Sequence, residues 1–220
     1  MKAIENEIRY LPQRNYNADT GELGRMKAIV AKLPPPKKKP QASAAQPGGA
    51  SATLSIPNSR PSGRMQPYRG RDFSLSYPDN WRVFTSQSSP GVTIAPLSAI
   101  QESEEAVVGY GAVLNYYKPR RANAGLRQAT EEFVSVLKSA DPRMREGRDA
   151  PREITFGGKS AMLTTLYSDS IFPGQTEVDL LVTVPHPDGI FFIVLVAPQS
   201  EGQYANRAFD DMLQSMRFDF

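Results

Sequence analysis

The sequence predicts an α+β fold, an antiparallel β-sheet with helices packed against it. Three observations carry this expectation. "FSLSY" at 73–77 places Phe73, Leu75 and Tyr77 on one face with serines between them, the period of a half-buried strand. "FFIVLV" at 191–196 is a continuous apolar run, the pattern of a central strand covered on both faces. "NAGLRQATEEFVSVLKSA" at 123–140 puts Leu126, Ala129, Phe133, Val136 and Leu137 on one helical face.

Taken in order, the chain opens on short helical patterns. Ile4, Ile8 and Leu11 share a face until Pro12 ends it. Leu23, Met26, Ile29, Val30 and Leu33 form a second, which Thr20 can cap and Pro34-Pro35-Pro36 stops. Two such helices cannot build a core alone. Residues 34–66 are rich in Pro, Lys, Ala, Ser and Gly, with little apolar surface to offset ordering, and are expected to be a flexible linker. Within it, "ATLSIP" is at most a transient strand or short docking segment.

Residues 67–220 are the expected folded domain. "YPDNW" reads as a turn through Pro78 and Asp79-Asn80. "WRVF", "GVTIAP" and "AVVGYGAVLNYY" read as strands, the last a long one with Gly109 and Gly111 marking a bulge or close approach. Asn123 is the expected cap of the central helix, and Asp141-Pro142 ends it. "REITFG", "KSAMLTTLYS", "TEVDLLVTVP" and "GIFFIVLVAP" follow, with hairpin signals at Gly157-Gly158 and Pro187-Asp188-Gly189. A final helix, "QYANRAFDDMLQSMRF", sets Tyr204, Ala208, Met212 and Met216 near one stripe, widened by Phe209 and Leu213.

Charge is unevenly spread. Residues 1–71 hold 13 Lys and Arg against 4 Asp and Glu, a balance of +9; residues 72–220 hold 13 against 19, a balance of −6. This describes a basic arm and an acidic domain, the arm either touching an anionic surface or the acidic domain, or simply solvated. An acidic domain has the wrong sign for a groove that tracks phosphates, so no specific nucleic-acid partner is expected. There is no cysteine, which excludes disulfides, thiol nucleophiles and cysteine metal sites. No apolar run approaches the roughly 20 residues that span a bilayer, and the first 30 residues lack a secretory apolar core. If Met1 is the native start, the chain is expected in the cytoplasm.

No residue set rises to a catalytic site. His186, the only histidine, lies in "VPHPDG" and is expected as an exposed turn residue. A metal site would need further ligands, and a hydrolase triad an activated serine in a motif the sequence lacks. Glu131-Glu132, Asp179 and Asp210-Asp211 could do acid–base work only if buried together on facing elements. Trp81 is expected in the core with its N–H bonded to backbone. Lys118, Arg120 and Arg121, with Arg143, Arg145 and Arg148, flank the central helix, and their convergence on one edge would make a partner or anion contact. Catalytic, cofactor-binding and metal residues are therefore expected to be none.

Two resemblances sharpen this. "DFSLSYPDNWRV" and the closing "FDDMLQSMRF" resemble the PsbP-like domains related to the Ran-binding Mog proteins, over residues 68–220. The resemblance implies a sheet opened by an F-x-x-x-Y-P-x-x-W strand and turn, closed by a helix and an aromatic, and a binding or accessory module rather than an enzyme. It marks Phe73, Tyr77, Pro78, Trp81, Met216 and Phe218 as fold anchors and carries over no ligand residues.

"IENEIRYLPQR" and "TGELGRMKAIVAKLPPPKK", within residues 1–36, resemble the tail that follows the catalytic domain of bacterial HtpX-type zinc metallopeptidases, peptidase family M forty-eight. The H-E-x-x-H of that family is absent, so this chain cannot hydrolyse peptides by that mechanism, and any zinc would belong to a catalytic domain outside it. The resemblance implies three segments: 1–33 as a helical tail of an upstream domain, 34–66 as linker, 67–220 as a PsbP-like domain. On that reading the chain is a non-catalytic accessory module, periplasmic or envelope-located, working with a protein partner or an attached protease domain. The alternative is a free-standing PsbP-like binding protein whose basic arm meets an anionic partner; a hydrolase using the acidic clusters stands third. Neither reading fixes an oligomeric state.

Overall fold

The computed structural model describes residues 54–85, 90–101, 107–121 and 123–220. The two helices expected within residues 1–33, and residues 34–53 of the expected linker, lie outside the described residues.

The fold begins earlier than the linker's expected end. A one-turn helix, α1 (Ile56–Ser59), is followed by strand β1 (Met65–Arg69). Leu54 and Ile56 pack on the main core, and Ser59 is fully buried. Three apolar residues of the expected linker, Leu54, Ile56 and Met65, therefore pack on the core and supply burial that its composition understates.

Strand β2 (Phe73–Pro78) pairs antiparallel with β1 on one side and with β13 (Arg217–Phe218) on the other, a three-stranded sheet. Next come β3 (Arg82–Thr85) and β4 (Val92–Ala95), then the two-residue strands β5 (Ile100–Gln101) and β6 (Val107–Val108), which pair with each other. The long strand expected over 106–117 is broken at Gly109-Tyr110, and β7 (Gly111–Tyr117) starts afresh. A Cβ on Gly109 would lie 2.5 Å from Ile171 Cγ1, and one on Gly111 2.5 Å from the Ile94 carbonyl oxygen. The glycines allow these close approaches, so the chain kinks where a regular strand would clash.

Helix α2 (Leu126–Ala140) is capped by Gly125, not by Asn123, which instead takes the left-handed conformation at φ 67° in the preceding turn. Strands β8 (Arg145–Glu146) and β9 (Arg152–Phe156) both line the outer edge of β10 (Lys159–Asp169). Gly157 and Gly158 join β9 to β10 with φ of +56° and +79°, the mirror-image turn that matches strand twist. β11 (Thr176–His186) and β12 (Gly189–Pro198) form the longest hairpin, closed by Pro187-Asp188.

Eight strands make the main sheet, in the order β3-β4-β7-β12-β11-β10-β8 with β9 also on β10, every pairing antiparallel. The fold is α+β. β12 sits centrally and is buried from Ile190 to Pro198. Its even-numbered residues face α2, where Phe133 lies 4.5 Å from Phe192 between ring centres. Its odd-numbered residues face the small sheet and α3 (Gly202–Ser215), where Phe73 meets Phe191 at 5.2 Å. The last helix stops at Ser215, three residues short of its expected end, because Arg217 and Phe218 leave it to pair with Ser74 and Phe73.

Candidate functional site

The expected basic cluster does not assemble. Lys118, Arg120 and Arg121 lie just after β7, and Arg143, Arg145 and Arg148 lie beyond the other end of α2. Strand register sets the groups toward opposite ends of the main sheet: Tyr117 pairs with Ile190 at one end of β12, whereas Arg145 pairs with Tyr167, whose row runs through Val178 to Ala197 at the other. Arg143 is held by Asp169 at 2.7 Å and Asp141 at 3.7 Å, exposed pairs of small energetic weight. The backbone N–H of Arg120 donates to Glu132, which also accepts from the Tyr117 hydroxyl at 2.6 Å. Glu132 thus fastens the end of β7 to α2.

The acidic residues are likewise kept apart. Glu131 and Glu132 are on α2, and Asp210 and Asp211 on α3, across the main sheet. Asp179, 1% exposed, is on the α2 face of β11. Among the described residues no group of three or more His, Asp or Glu side chains is placed to hold a metal ion.

His186 corrects an expectation. It is not an exposed turn residue: its side chain is 9% exposed, its ring 4.9 Å from Tyr116 and 4.6 Å from Phe220. Nδ1 accepts from the Asp188 backbone N–H at 3.1 Å, which places the ring hydrogen on Nε2, 3.3 Å from Asp72 Oδ2. The Tyr116 hydroxyl donates to Asp72 Oδ1. Burial, and then this bond to Asp72, raises the Tyr116 phenol above its ordinary value. The cluster joins the β1–β2 turn to the main sheet beneath the chain's last aromatic. It contains no nucleophile aimed at a cleft, and its groups are spent on each other. The sequence holds no local signal for it, since Asp72 and His186 are 114 residues apart.

Trp81 is 2% exposed, and its Nε1–H donates to the Ser59 carbonyl at 3.1 Å. It makes edge contacts with Tyr110 at 5.6 Å and Phe209 at 6.3 Å. Phe73, Pro78 and Met216 are also buried, while Tyr77 and Phe218 are half-buried. Beside Trp81, Arg60 makes a two-pronged contact with Glu201, at 2.8 and 3.0 Å, and lies 4.0 Å above the Tyr204 ring. Glu201 is only 4% exposed. Tyr204 does not share the buried stripe of α3 but points outward at 39% exposure; Leu97, at 36%, is the other exposed large apolar residue among the described ones. Leu97 begins the short turn that α1 packs on, tied by Ser55 N–H to Ser98 O at 2.9 Å and by Ser59 to Ser98 at 3.0 Å. Leu97 and Tyr204 thus each lie on a segment in contact with α1 or with Arg60 at its end.

On the other face of the sheet, a partly open cavity of about 50 Å³ lies beneath α2. Phe133, Leu137, Leu166 and Phe192 wall it, and Asn115 and Asp179 are its polar lining.

No protein-family model matches the chain, and no curated protein matches it. Among the solved structures similar to it are the following. One is LpqN of Mycobacterium tuberculosis, described as involved in cell envelope biogenesis, at 16% identity, covering 71% of this chain and 91% of that one, TM-score 0.39. Another is cyanobacterial PsbP of Synechocystis, at 12% identity, covering 80% and 98%, TM-score 0.48. A Bacteroides thetaiotaomicron protein matches at 13% identity over 66% of this chain and 44% of its own length, TM-score 0.41. The fold class stands on the strand order and register.

Proposed function

We propose that residues 54–220 form a non-catalytic module that binds a protein partner through the surface around α1. The observation that supports this is the exposure of two large apolar side chains on segments next to α1, Leu97 on the turn that α1 packs on and Tyr204 beneath Arg60, the residue that ends α1. Tyrosine and arginine are the residue types that anchor protein interfaces. Arg60 is held in place by Glu201 before any partner arrives, so little side-chain entropy remains to be lost on docking. The interior polar groups, by contrast, serve the fold: Glu132 ties α2 to β7, and Asp72 ties Tyr116 and His186 together.

In its finer form the proposal makes the module an accessory of a zinc metallopeptidase, supported by the resemblance of residues 1–36. Lys118, Arg120, Arg121, Arg143, Arg145 and Arg148 would add long-range attraction for an acidic partner from the two ends of α2. The alternative keeps the module free-standing, with the basic arm meeting the anionic partner. An in-frame H-E-x-x-H encoded upstream of Met1 separates the two. For the binding surface itself, the test is the affinity of a captured partner for Tyr204→Ala and Leu97→Ser. A loss of about tenfold or more in each is expected; unchanged affinity in both ends the proposal.

A further inference from the structure

The hydrogen-bond partners of the His186 ring fit only one of its protonation states. A neutral imidazole offers one donor and one acceptor. The Asp188 backbone N–H, 3.1 Å from Nδ1, needs an acceptor, and Asp72 Oδ2, 3.3 Å from Nε2, needs a donor. The neutral ring with its hydrogen on Nε2 meets both. The ring is not free to turn: Tyr116 lies edge-on to it at 4.9 Å and Phe220 at 4.6 Å between ring centres, and a flip would take Nε2 away from Asp72.

A second proton has one place to go, the lone pair on Nδ1. Both ring nitrogens then carry hydrogen. At Nε2 the bond to Asp72 becomes charge-assisted and keeps the ring where it is. At Nδ1 an N–H faces the Asp188 N–H, and the bond that fastens the hairpin tip is lost. The charged and titratable groups around the ring come from every element packed on it. Asp72 and Arg71, which acts electrostatically on Tyr116, precede β2; Tyr116 is on β7; Asp188 is on the hairpin itself. Across the Phe220 ring stand Lys159 on β10, 4.8 Å from its centre, and Asp219, paired with Arg69. Among them, the Asp188 amide is the donor that meets Nδ1.

The tip can respond without disturbing the sheet. Pro187 and Asp188 are exposed, so water can take over the released amide. Ile190 is buried, and Gly189 lies so close to the Tyr117 carbonyl that a Cβ would strike it. We infer that His186 is a proton-operated latch: neutral, it holds the Pro187-Asp188 tip of the β11–β12 hairpin; protonated, it keeps Asp72 and releases the tip. The latch is independent of the surface around α1, and its failure would leave that surface standing.

The test follows the full 220-residue chain by NMR from about pH 8 to about pH 5, the span in which imidazoles titrate. His186 is the only histidine, so the ring signals are its own. The expected result is the Nε2–H form at the alkaline end. On acidification the Asp188 amide should lose about tenfold or more in its hydrogen-exchange protection factor, with the same midpoint as the ring. The Leu181 and Ile193 amides, in the middle of their strands, should keep their protection. His186→Phe, which retains a ring and removes the titration, should leave the Asp188 amide unprotected throughout. Asp188→Asn, which keeps the backbone N–H and removes a nearby carboxyl group, should switch as the parent does. The parent titration decides the matter if His186→Phe does not fold. The Nδ1–H form at the alkaline end, no proton uptake by the ring, or Asp188 protection that survives that uptake would each overturn the inference. So would a tip that still responds in His186→Phe, one that stops responding in Asp188→Asn, or loss of protection at Leu181 and Ile193 together with the tip.

Discussion

The indole N–H of Trp81 ends on the carbonyl oxygen of Ser59, at 3.1 Å and 22 residues back along the chain. Both groups are buried, so neither has water as an alternative partner. α1 is therefore part of the domain. Removing residues 1–53 should leave urea denaturation, followed by Trp81 fluorescence, essentially unchanged. Removing residues 1–61 should cost about 2 to 4 kcal/mol, from the lost packing of Leu54 and Ile56 and an orphaned indole donor. Equal stability of the two truncations would show that α1 contributes nothing.

Tyr110 and Tyr116 set the alkaline limit of stability. Burial raises both phenols, with Glu201 adding to the effect at Tyr110 and Asp72 at Tyr116, while Arg60 opposes it at Tyr110. In the unfolded chain each ionises near pH 10, while the folded chain still holds the proton. The folded state then binds more protons, so stability is complete below about pH 10 and falls as pH rises above it. The slope should reach about 1.4 kcal/mol per pH unit for each tyrosine. Denaturation midpoints between pH 8 and 11.5 measure it, and Tyr116→Phe should flatten the curve. An identical slope in that variant would remove Tyr116 from the account.

Two glycines with positive φ should respond differently to substitution. At Gly111, φ +153°, a Cβ would meet the Ile94 backbone oxygen at 2.5 Å, and a sheet backbone has little room to retreat. Gly111→Ala should cost about 2 to 3 kcal/mol. At Gly158, φ +79°, nothing lies within 4 Å, and asparagine adopts that region readily. Gly158→Asn should change stability by less than about 1 kcal/mol. Thermal melts of the two variants side by side check the contrast.

Period and turn chemistry made much of both sheets readable. Phe73, Leu75 and Tyr77 at spacing two, the unbroken run through β12 and the Gly157-Gly158 turn all depend on neighbours in sequence. What escaped depends on distant ones. Arg217 and Phe218 continue a helical pattern by local count, yet pairing with β2 takes them into a sheet. Asn123 is a good capping residue, but the turn needs it at positive φ. His186 sits between prolines like a surface turn, and only its meeting with Asp72, Tyr116 and Phe220 buries it. The α1 surface was hidden for the same reason: Tyr204 fits the apolar stripe of α3, and nothing near it in sequence announces that Arg60 will cover its ring.

The most direct measurement is photo-crosslinking in cells that make the protein. A photo-reactive amino acid replaces Leu97 or Tyr204, or, as a control, Arg152, an exposed residue on β9 at the sheet's other edge. A docking surface around α1 predicts the same protein adduct from positions 97 and 204, none from 152, and loss of the adduct when Arg60→Ala is added. Adducts as frequent at 152, or their survival in Arg60→Ala, would contradict it.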